Sequence, residues 1–225
     1  MLVVNTAASD RLLLTDAEIR AAIGVETGEA TTVGDLNKRV AAAITRACKV
    51  IPGRLASGGA QSIPTLRKEV LTETFRYDVC QSMVILSRSP VVAVTGITVD
   101  GTALTMDIAA NPPTIPSFIP SPDFEIDGYM LRRLSGGRII DWSASVVVVN
   151  YSAGFETVPE DLKLAASKQA QAYFADSDRE PGLRSLELPG VITETYTDKA
   201  PDSPGVTEEV MDLLRQGGYV MESII

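Results

Sequence analysis

The sequence predicts an α+β fold in which a helical bundle, formed by N- and C-terminal helices, carries an inserted antiparallel β-hairpin region. Apolar residues recur at spacings of three and four near the start of the chain and again after residue 159. The stretch between them alternates, and its Asp-Gly and Gly-Gly pairs divide it into hairpins. With 225 residues, 45% of them hydrophobic, the chain can bury one substantial core or two small ones.

The N-terminal part predicts two helices. Thr15 and Glu18 have the spacing of a capping box, and Gly24 is placed to end the short helix that follows. A longer helix is predicted over residues 33–51, where the apolar residues fall on one face. Residues 55–64, rich in serine and glycine, are predicted to form a mobile loop.

The middle of the chain predicts strands from about residue 67 onward. Hairpin turns are expected at Asp100-Gly101, Asp127-Gly128 and Gly136-Gly137, because such turns favour residues that adopt positive φ. The valine run 146–149 suits a strand that is buried on both faces. Five prolines between residues 110 and 122 exclude regular structure there, so this segment is predicted to be a protruding loop.

The C-terminal part predicts a long helix that opens at Pro159 and reaches about Ser177. A polar, proline-punctuated arm follows, and Thr207 can cap a last helix over residues 208–215. The expected organisation is therefore N-terminal helices over 1–64, an antiparallel β region over 65–155, a long helix over 156–178, and an arm, terminal helix and apolar tail over 179–225.

Composition and motifs argue against several classes of function. The formal net charge of −9 is opposite in sign to the lysine- and arginine-rich faces that bind nucleic acid. Histidine is absent from the sequence, which excludes serine–histidine and cysteine–histidine dyads and histidine-containing metal sites. No signal peptide or membrane span is predicted, so synthesis in a host cytoplasm is expected, and Cys48 and Cys80 are expected to be free, buried thiols.

Two patterns that resemble sites are weak. Ser167 and Lys168 are adjacent, but neighbours on a helix point in different directions, so a solvated surface is the better interpretation. The segment "DFEIDG" imitates the start of a calcium loop, yet Leu134 stands where the bidentate glutamate should be. We therefore predict no catalytic residue, no metal ligand and no cofactor.

Two blocks of sequence, in order, resemble the head–tail connector (adaptor, or head completion) family of long-tailed double-stranded DNA phages and gene transfer agents. The first is "ILSRSPVVAVTGITVDGTAL", and the second is "WSASVVVVNYSAGFETVPEDLKLAASKQAQAYF". The second combines a tryptophan, a valine-rich strand ending in Tyr151-x-Ala153-Gly154, then Val158-Pro159 and an alanine-rich helix. An arm similar to "LELPGVITETYT" and a terminal helix similar to "EEVMDLLRQGGYV" follow, as they do in the family.

The resemblance implies a non-enzymatic virion protein of the neck. Such adaptors form a homo-oligomeric ring, usually of twelve subunits, which docks beneath the portal protein and faces the stopper or tail-completion protein. Genomic DNA passes through the channel without specific binding, and no membrane is involved. Carboxylates along that channel would repel phosphates and prevent sticking, which gives the acidic balance a use.

The family's C-terminal segment commonly clasps the portal, which maps here to about residues 206–225. Its apolar residues are the expected portal-binding side chains: Val210, Leu213, Leu214, Tyr219, Val220, Ile224 and Ile225. Because ordering on docking costs conformational entropy, the isolated subunit is expected to be monomeric and to assemble on the portal.

Two alternatives stay open at this point. The chain could be another virion component, such as a tail-completion protein, or a β-type ligand-binding module. It could also be an enzyme that uses only carboxylates, for example a glycosidase, which would need paired acids in a cleft. The only candidate pair in the sequence is the cluster of Asp123 and Asp127.

Overall fold

The computed structural model describes residues 1–25, 30–104, 118–120, 123–143, 146–177, 185–188, 192–195 and 205–220. The chain divides into two compact units, and the α+β class is confirmed. The β unit comprises residues 1–10 and 50–157, and the helical unit comprises residues 11–49 and 158–225. Residues 1–10 and 50–64 therefore fold with the strands, whereas the sequence pattern places them with the N-terminal helices.

The β unit contains two substantial sheets. Its strands are β1 (Leu2–Thr6), β2 (Arg54–Leu55), β3 (Glu69–Arg76), β4 (Val84–Ile85), β5 (Val91–Val99), β6 (Thr102–Ala103), β7 (Phe118–Pro120), β8 (Phe124–Asp127), β9 (Met130–Ser135), β10 (Arg138–Ile140) and β11 (Val146–Ala153). A six-stranded sheet has the order β2-β1-β3-β11-β5-β6, and a five-stranded sheet has the order β10-β9-β8-β7 with β4 also paired to β9. These sheets are more than the hairpin insertion that the sequence predicts.

Two strands of the larger sheet have no counterpart in the sequence prediction. Strand β1 pairs antiparallel with β3, and the register sets Leu2 opposite Glu73. Strand β2 pairs parallel with β1 and lies where the sequence predicts a mobile loop. Both strands are short and take their partners from distant parts of the chain, so local periodicity gives little signal for them.

The predicted hairpins form, with one shift of register. Asp100 and Gly101 have φ of 46° and 84°, and Gly136 and Gly137 have φ of 58° and 76°, as predicted for such turns. In the second hairpin Asp127 is the last strand residue and pairs with Met130. The turn is therefore Gly128-Tyr129, one residue later than predicted.

The proline-rich segment contains a short strand. Phe118–Pro120 form β7, which pairs antiparallel with β8 at the edge of its sheet. The prediction of a loop over 110–122 is therefore wrong for these three residues, since an edge strand tolerates a proline. Residues 110–117, 121 and 122 lie outside the described residues.

Strand β11 is the centre of the six-stranded sheet. It pairs antiparallel with β3 on one side and with β5 on the other. Val147, Val149 and Tyr151 on this strand have no exposed surface, whereas Val146 and Val148 on its other face are half-buried. The prediction of a strand buried on both faces is therefore wrong for the second face. Trp142 and Phe124 are also fully buried in the same core.

The turn after β11 requires a glycine. Gly154 has a φ of 100°, and a Cβ atom placed there would lie 2.5 Å from the carbonyl oxygen of Arg67. Its backbone N–H donates to the carbonyl of Pro90 at 2.9 Å, and the next N–H, of Phe155, donates to Leu66 at 2.8 Å. Close backbone approach thus explains the glycine of the Tyr-x-Ala-Gly pattern.

The helical unit contains α1 (Asp16–Ile23), α2 (Ala30–Ala47), α3 (Glu160–Ser177) and α4 (Glu208–Gln216), together with the hairpin of β12 (Ser185–Leu188) and β13 (Ile192–Thr195). Helix α3 packs on each of the other three helices. Both N-cap predictions are confirmed: Thr15 accepts from the backbone N–H of Glu18, and Thr207 accepts from that of Val210. Helix α2 ends at Ala47, before the predicted residue 51, and Lys49 has a positive φ of 57°.

Polar contacts fasten α1 to α3 within this unit. Lys163 forms an ion pair with Glu18 at 3.0 Å, and Gln171 donates through Nε2 to the carbonyl of Ala22 at 2.9 Å. The latter bond satisfies a carbonyl at the end of α1 that lacks a helical partner. No helix among the described residues is long and apolar enough to cross a membrane.

The Gly154→Ala substitution should lower the free energy of unfolding by more than about 2 kcal/mol, because the new Cβ collides with backbone and the φ is strained. Gly128→Ala is the matched control, since Gly128 also has positive φ but nothing lies within 4 Å of the point that its Cβ would occupy. The control should cost about 1–2 kcal/mol. Urea unfolding measures both, and equal losses would refute the close-approach explanation.

Candidate functional site

The C-terminal helix α4 is held on α3 at both of its ends. Val210 and Leu214 on the helix, and Val206 just before its N-cap, recur at intervals of four residues, and all three are buried. The α3 residues Asp161, Lys168, Gln169 and Tyr173 supply the polar contacts, and we call these four residues the α4 dock. These contacts fix the position of α4 and of the residues just beyond its end.

The start of α4 is fastened by a buried glutamine and a tyrosine. Gln169 has no exposed surface; its Nε2 donates to the carbonyl of Gly205 at 3.2 Å, and its Oε1 accepts from the N–H of Thr207 at 3.1 Å. The Tyr173 hydroxyl donates to the same Gly205 carbonyl at 2.8 Å. Arg39 of α2 lies over the Tyr173 ring, 5.0 Å from its centroid, in a cation–π arrangement.

The end of α4 is fastened by Tyr219. Its hydroxyl donates to Oδ1 of Asp161 at 2.5 Å, and its N–H donates to the carbonyl of Leu214 at 2.9 Å. A side chain at Gly217 would collide with the Tyr219 ring. Desolvation, and next the hydrogen bond to Asp161, raise the pKa of Tyr219 above its ordinary value.

The direction of α4 follows from these contacts. Its first residues meet Gln169 and Tyr173, whereas Tyr219, just beyond its end, meets Asp161 near the start of α3. Helices α3 and α4 are therefore antiparallel. Between the two fastenings Lys168 forms an ion pair with Glu209 at 3.1 Å on the exposed side of the contact.

The structure distributes the predicted portal-binding residues over different environments. Val210 and Leu214 have no exposed surface, so they belong to the core of the helical unit and are not available to a partner in this conformation. Leu213, Tyr219 and Val220 are half-buried. Ile224 and Ile225 lie outside the described residues.

Sequence reasoning missed the residues that hold α4 in place. Gln169 and Tyr173 lie on α3, far from α4 in sequence, and a glutamine or tyrosine on an alanine-rich helix gives no sign of its partner. The hydrogen bond from Tyr219 to Asp161 and the close approach of Gly217 to the Tyr219 ring likewise depend on three-dimensional information.

A buried polar cluster lies in the β unit, formed by Glu69, Glu73, Arg88 and Tyr151. All four residues have 4% or less of their surface exposed. The Tyr151 hydroxyl donates to Oε2 of Glu73 at 2.9 Å, and Nε of Arg88 lies 3.8 Å from Oε2 of Glu69. Burial lowers the pKa of Arg88, while the neighbouring carboxylate of Glu69 acts in the opposite direction.

The same cluster fixes the chain before β5. The N–H of Ser87 donates to Oε2 of Glu73 at 3.0 Å, and its hydroxyl donates to Oε1 of the same residue. The carboxylates and the guanidinium are closed off from solvent, so a substrate has no access to them. Their position suits a structural role that joins β3, β11 and the "SRSP" segment.

Two residues from the weaker sequence patterns are engaged in ion pairs. Glu125 lies on β8 and forms an ion pair with Arg132 at 3.2 Å, and Lys168 is engaged with Glu209. In the part of the chain that the structure describes, no three acidic or cysteine side chains are grouped as metal ligands would be. Cys48 is buried as expected, but Cys80 is exposed, which corrects the prediction for that thiol.

Arg88→Met should lower the free energy of unfolding by about 3–5 kcal/mol, because it leaves buried carboxylates without their counter-charge. Adding Glu69→Gln should recover part of that loss, and urea unfolding of the two single variants and the double variant gives the coupling. If Glu69→Gln costs the same with and without Arg88, the ion pair makes no contribution.

Tyr219→Ala should loosen the end of α4 by removing the hydrogen bond to Asp161, and the buried thiol of Cys48 in the same unit is the reporter for that loosening. Burial raises the pKa of the Cys48 thiol to about 12, so the native thiol should react slowly. In a Cys80→Ser background we expect maleimide labelling of Cys48 to accelerate roughly tenfold or more, since about 1.5–3 kcal/mol of local contacts is lost.

The control for this experiment is Tyr219→Phe, which keeps the ring and removes only the hydroxyl. It should accelerate labelling far less than the alanine variant does. The raised pKa of Tyr219 means that its neutral form is favoured in the folded chain, so its contribution holds below about pH 10 and is lost as the pH rises beyond that. Identical labelling rates for wild type and Tyr219→Ala would show that the Tyr219 contact does not contribute to the protection of Cys48.

Comparison with known proteins gives structural likenesses only. No protein-family model matches the chain, and no curated protein matches it. Three similar solved structures carry the descriptions "Neck of empty GTA particle computed with C6 symmetry", "Virion of native gene transfer agent (GTA) particle" and "Neck of native GTA particle computed with C12 symmetry". Their sequence identities are 19%, 20% and 19%, their TM-scores are 0.49, 0.46 and 0.45, and each match covers 100% of this chain and 97% of the other. Likeness at this level does not establish a shared family or function.

Proposed function

We propose that this chain is a non-enzymatic subunit of a ring in the neck of a phage or phage-like particle, an adaptor between the portal and the stopper or tail. The observation that carries the proposal is the ordered pair of sequence blocks, several of whose marked residues occupy constrained positions in the β unit. Trp142 and Tyr151 are fully buried, Arg88 is part of the buried polar cluster, and Gly154 is required by close backbone approach.

Helices α1 to α4 are the proposed wall of the ring. In this arrangement the helices from both ends of the chain act as a bundle, and copies of the chain, twelve in the family, surround a channel for DNA. Leu164 on α3 supports a packing role, since 49% of this large apolar side chain is exposed. An exposed leucine on the helix that contacts all three others is a reasonable point of contact with a neighbouring copy.

The channel surface is proposed to be acidic. On α4, Glu208, Glu209 and Asp212 carry negative charge, and Arg215 is the basic residue of the same helix. Glu209 and Asp212 are each engaged in an ion pair, with Lys168 and Arg215 respectively, so their net field is reduced. The repulsion of DNA would therefore depend on Glu208 and on carboxylates elsewhere in the ring.

The portal-binding surface is proposed to comprise Leu213, Tyr219 and Val220, continued by Ile224 and Ile225. Val210 and Leu214 are buried, so their proposed role is to hold α4 on α3. With the hydrogen bond from Tyr219 to Asp161, they fix the point from which the C-terminal segment extends. Five residues follow Val220 in the sequence, and their two terminal isoleucines supply the apolar character that a groove on the portal would accept.

A chain that ends at Val220 should lose attachment to the portal while it stays folded. This end point keeps the contact between Tyr219 and Asp161, whereas a chain that ends at Gly218 would also remove an internal contact and confuse the result. Attachment is measured by mixing the chain with its portal and imaging by negative stain, where a ring should appear at the narrow end of the portal with the full chain only.

The matched control is Ile224→Val with Ile225→Val, which keeps the apolar surface and should still attach. Ile224→Asp with Ile225→Asp should abolish attachment as truncation does. If the full chain forms no ring on the portal, the adaptor proposal fails. If the truncated chain attaches as well as the full chain, the C-terminal segment is not the portal contact.

A further inference from the structure

We propose that α4 is an exchangeable helix: in an assembly of several copies, the α4 of one copy occupies the α4 dock of a neighbouring copy. The partner is thus a second copy of this chain, and the surface is the face of α3 that carries Asp161, Lys168, Gln169 and Tyr173. The inference concerns contact between copies and does not depend on the portal.

The first argument is the length of the connection. Helix α3 ends at Ser177, and the carbonyl of Gly205, just before α4, accepts from the hydroxyl of Tyr173, one turn before that end. About five extended residues would cover such a gap. The sequence instead places residues 178–204 between these two points, far more chain than a return to the same α3 requires.

The second argument is the reach of that connection. Strands β12 and β13 pair with each other, with Ser185 opposite Thr195, so the hairpin between them adds little length. The stretches 178–184 and 196–204 would together span at most roughly 50 Å when extended. A compact domain of two hundred residues is about 40 Å across, so an arm of this length can reach a neighbour of similar size.

The third argument is that the contacts of α4 are self-contained. Val206, Val210 and Leu214 are buried on or beside a helix of nine residues, which is too short to be stable in water without a partner. The polar contacts go to Gln169, Tyr173 and Asp161, all on α3, and a second copy offers the same three groups. The contact energy of α4 is therefore the same on its own α3 and on the α3 of another copy. Only the segment that connects α4 to its own α3 favours one arrangement over the other.

The tether favours the intramolecular arrangement in dilute solution. A linker holds a tethered segment at an effective concentration on the order of 1 mM. Exchange should become appreciable when neighbouring copies are held close together, as in a ring, or when the protein is concentrated to a similar level. Exchange around a closed ring would link each subunit to the next without any new kind of contact.

The test uses two variants that each carry one introduced cysteine, both made in a Cys80→Ser background that retains the buried Cys48. One carries Lys168→Cys on α3 and the other carries Glu209→Cys on α4, two exposed positions that form an ion pair in the native chain. The two proteins are mixed in equal amounts at a series of concentrations up to about 1 mM. They are then diluted and treated at once with a short bis-maleimide.

Exchange predicts a cross-linked product of two chains that contains one of each variant and increases with the concentration of the mixture. A single chain with both cysteines is the control, and in dilute solution it should give an internally linked monomer. If the control is linked efficiently but the mixture gives no mixed dimer at any concentration, α4 stays on its own α3 and the inference is overturned.

A variant with a shortened connecting segment distinguishes exchange of α4 from random collision of the introduced cysteines. Replacing residues 179–203 by a five-residue glycine-serine linker should leave α4 able to return to its own α3 but unable to reach a neighbour. In the cross-linking mixture this shortened arm should abolish the mixed dimer, while the internal link in the control persists. A mixed dimer that survives shortening would show that the product arises from random collision.

The outcome is separable from that of the adaptor proposal, because no portal is present in these mixtures. A mixed dimer together with failure to attach to the portal would leave the exchange standing and remove the adaptor function. The opposite pattern would leave the adaptor standing with α4 held within each subunit.

Discussion

The β unit depends on the burial of two carboxylates beside one guanidinium. Glu69 and Glu73 lie on β3 with Leu71 between them, and all three face the core. Such groups cost several kcal/mol to desolvate, and they are tolerated because Arg88 supplies charge and Tyr151 and Ser87 supply hydrogen bonds. Because the buried carboxylates need these partners, β3 must lie beside β11, which carries Tyr151, and the segment before β5 must bring Ser87 and Arg88 to the cluster. The polar contacts therefore favour the same strand register as the backbone pairing does.

The helical unit depends in a similar way on α3. This helix carries alanines at buried positions, which lets neighbouring helices approach, and it carries the polar groups that fasten them. Gln169 is the clearest case, because its amide both donates to Gly205 and accepts from Thr207. A fully buried amide with a donor and an acceptor satisfied gives α4 one position along α3, where apolar packing alone would allow it to slide.

The contacts between α3 and α4 explain why some of the predicted portal-binding residues are buried and others are not. The sequence shows an apolar, amphipathic terminal helix but does not show which of its apolar residues are used inside the subunit. When α4 packs on α3, Val210 and Leu214 are buried in the core, whereas Leu213, Tyr219 and Val220 stay partly exposed at its edge. Tyr219 is the last residue seen to fasten α4 to α3, and it is also one of the residues proposed to bind the portal.

The local features of this protein could be predicted from its sequence alone. The capping box at Thr15, the cap at Thr207, the Asp100-Gly101 turn and the long helix after Pro159 all depend on residues close together in the chain, and local geometry decides them. Only the tertiary structure decided which face of β3 is buried: alternation shows two faces, and the buried face holds Glu69 and Glu73 while Val70 is 37% exposed. It also decided that residues 2–6 pair with β3, that Gly154 meets the backbone of Arg67, and that Gln169 holds α4. Each of these needs a partner distant in sequence, and the energy of a buried polar group depends on that partner rather than on its neighbours in the chain.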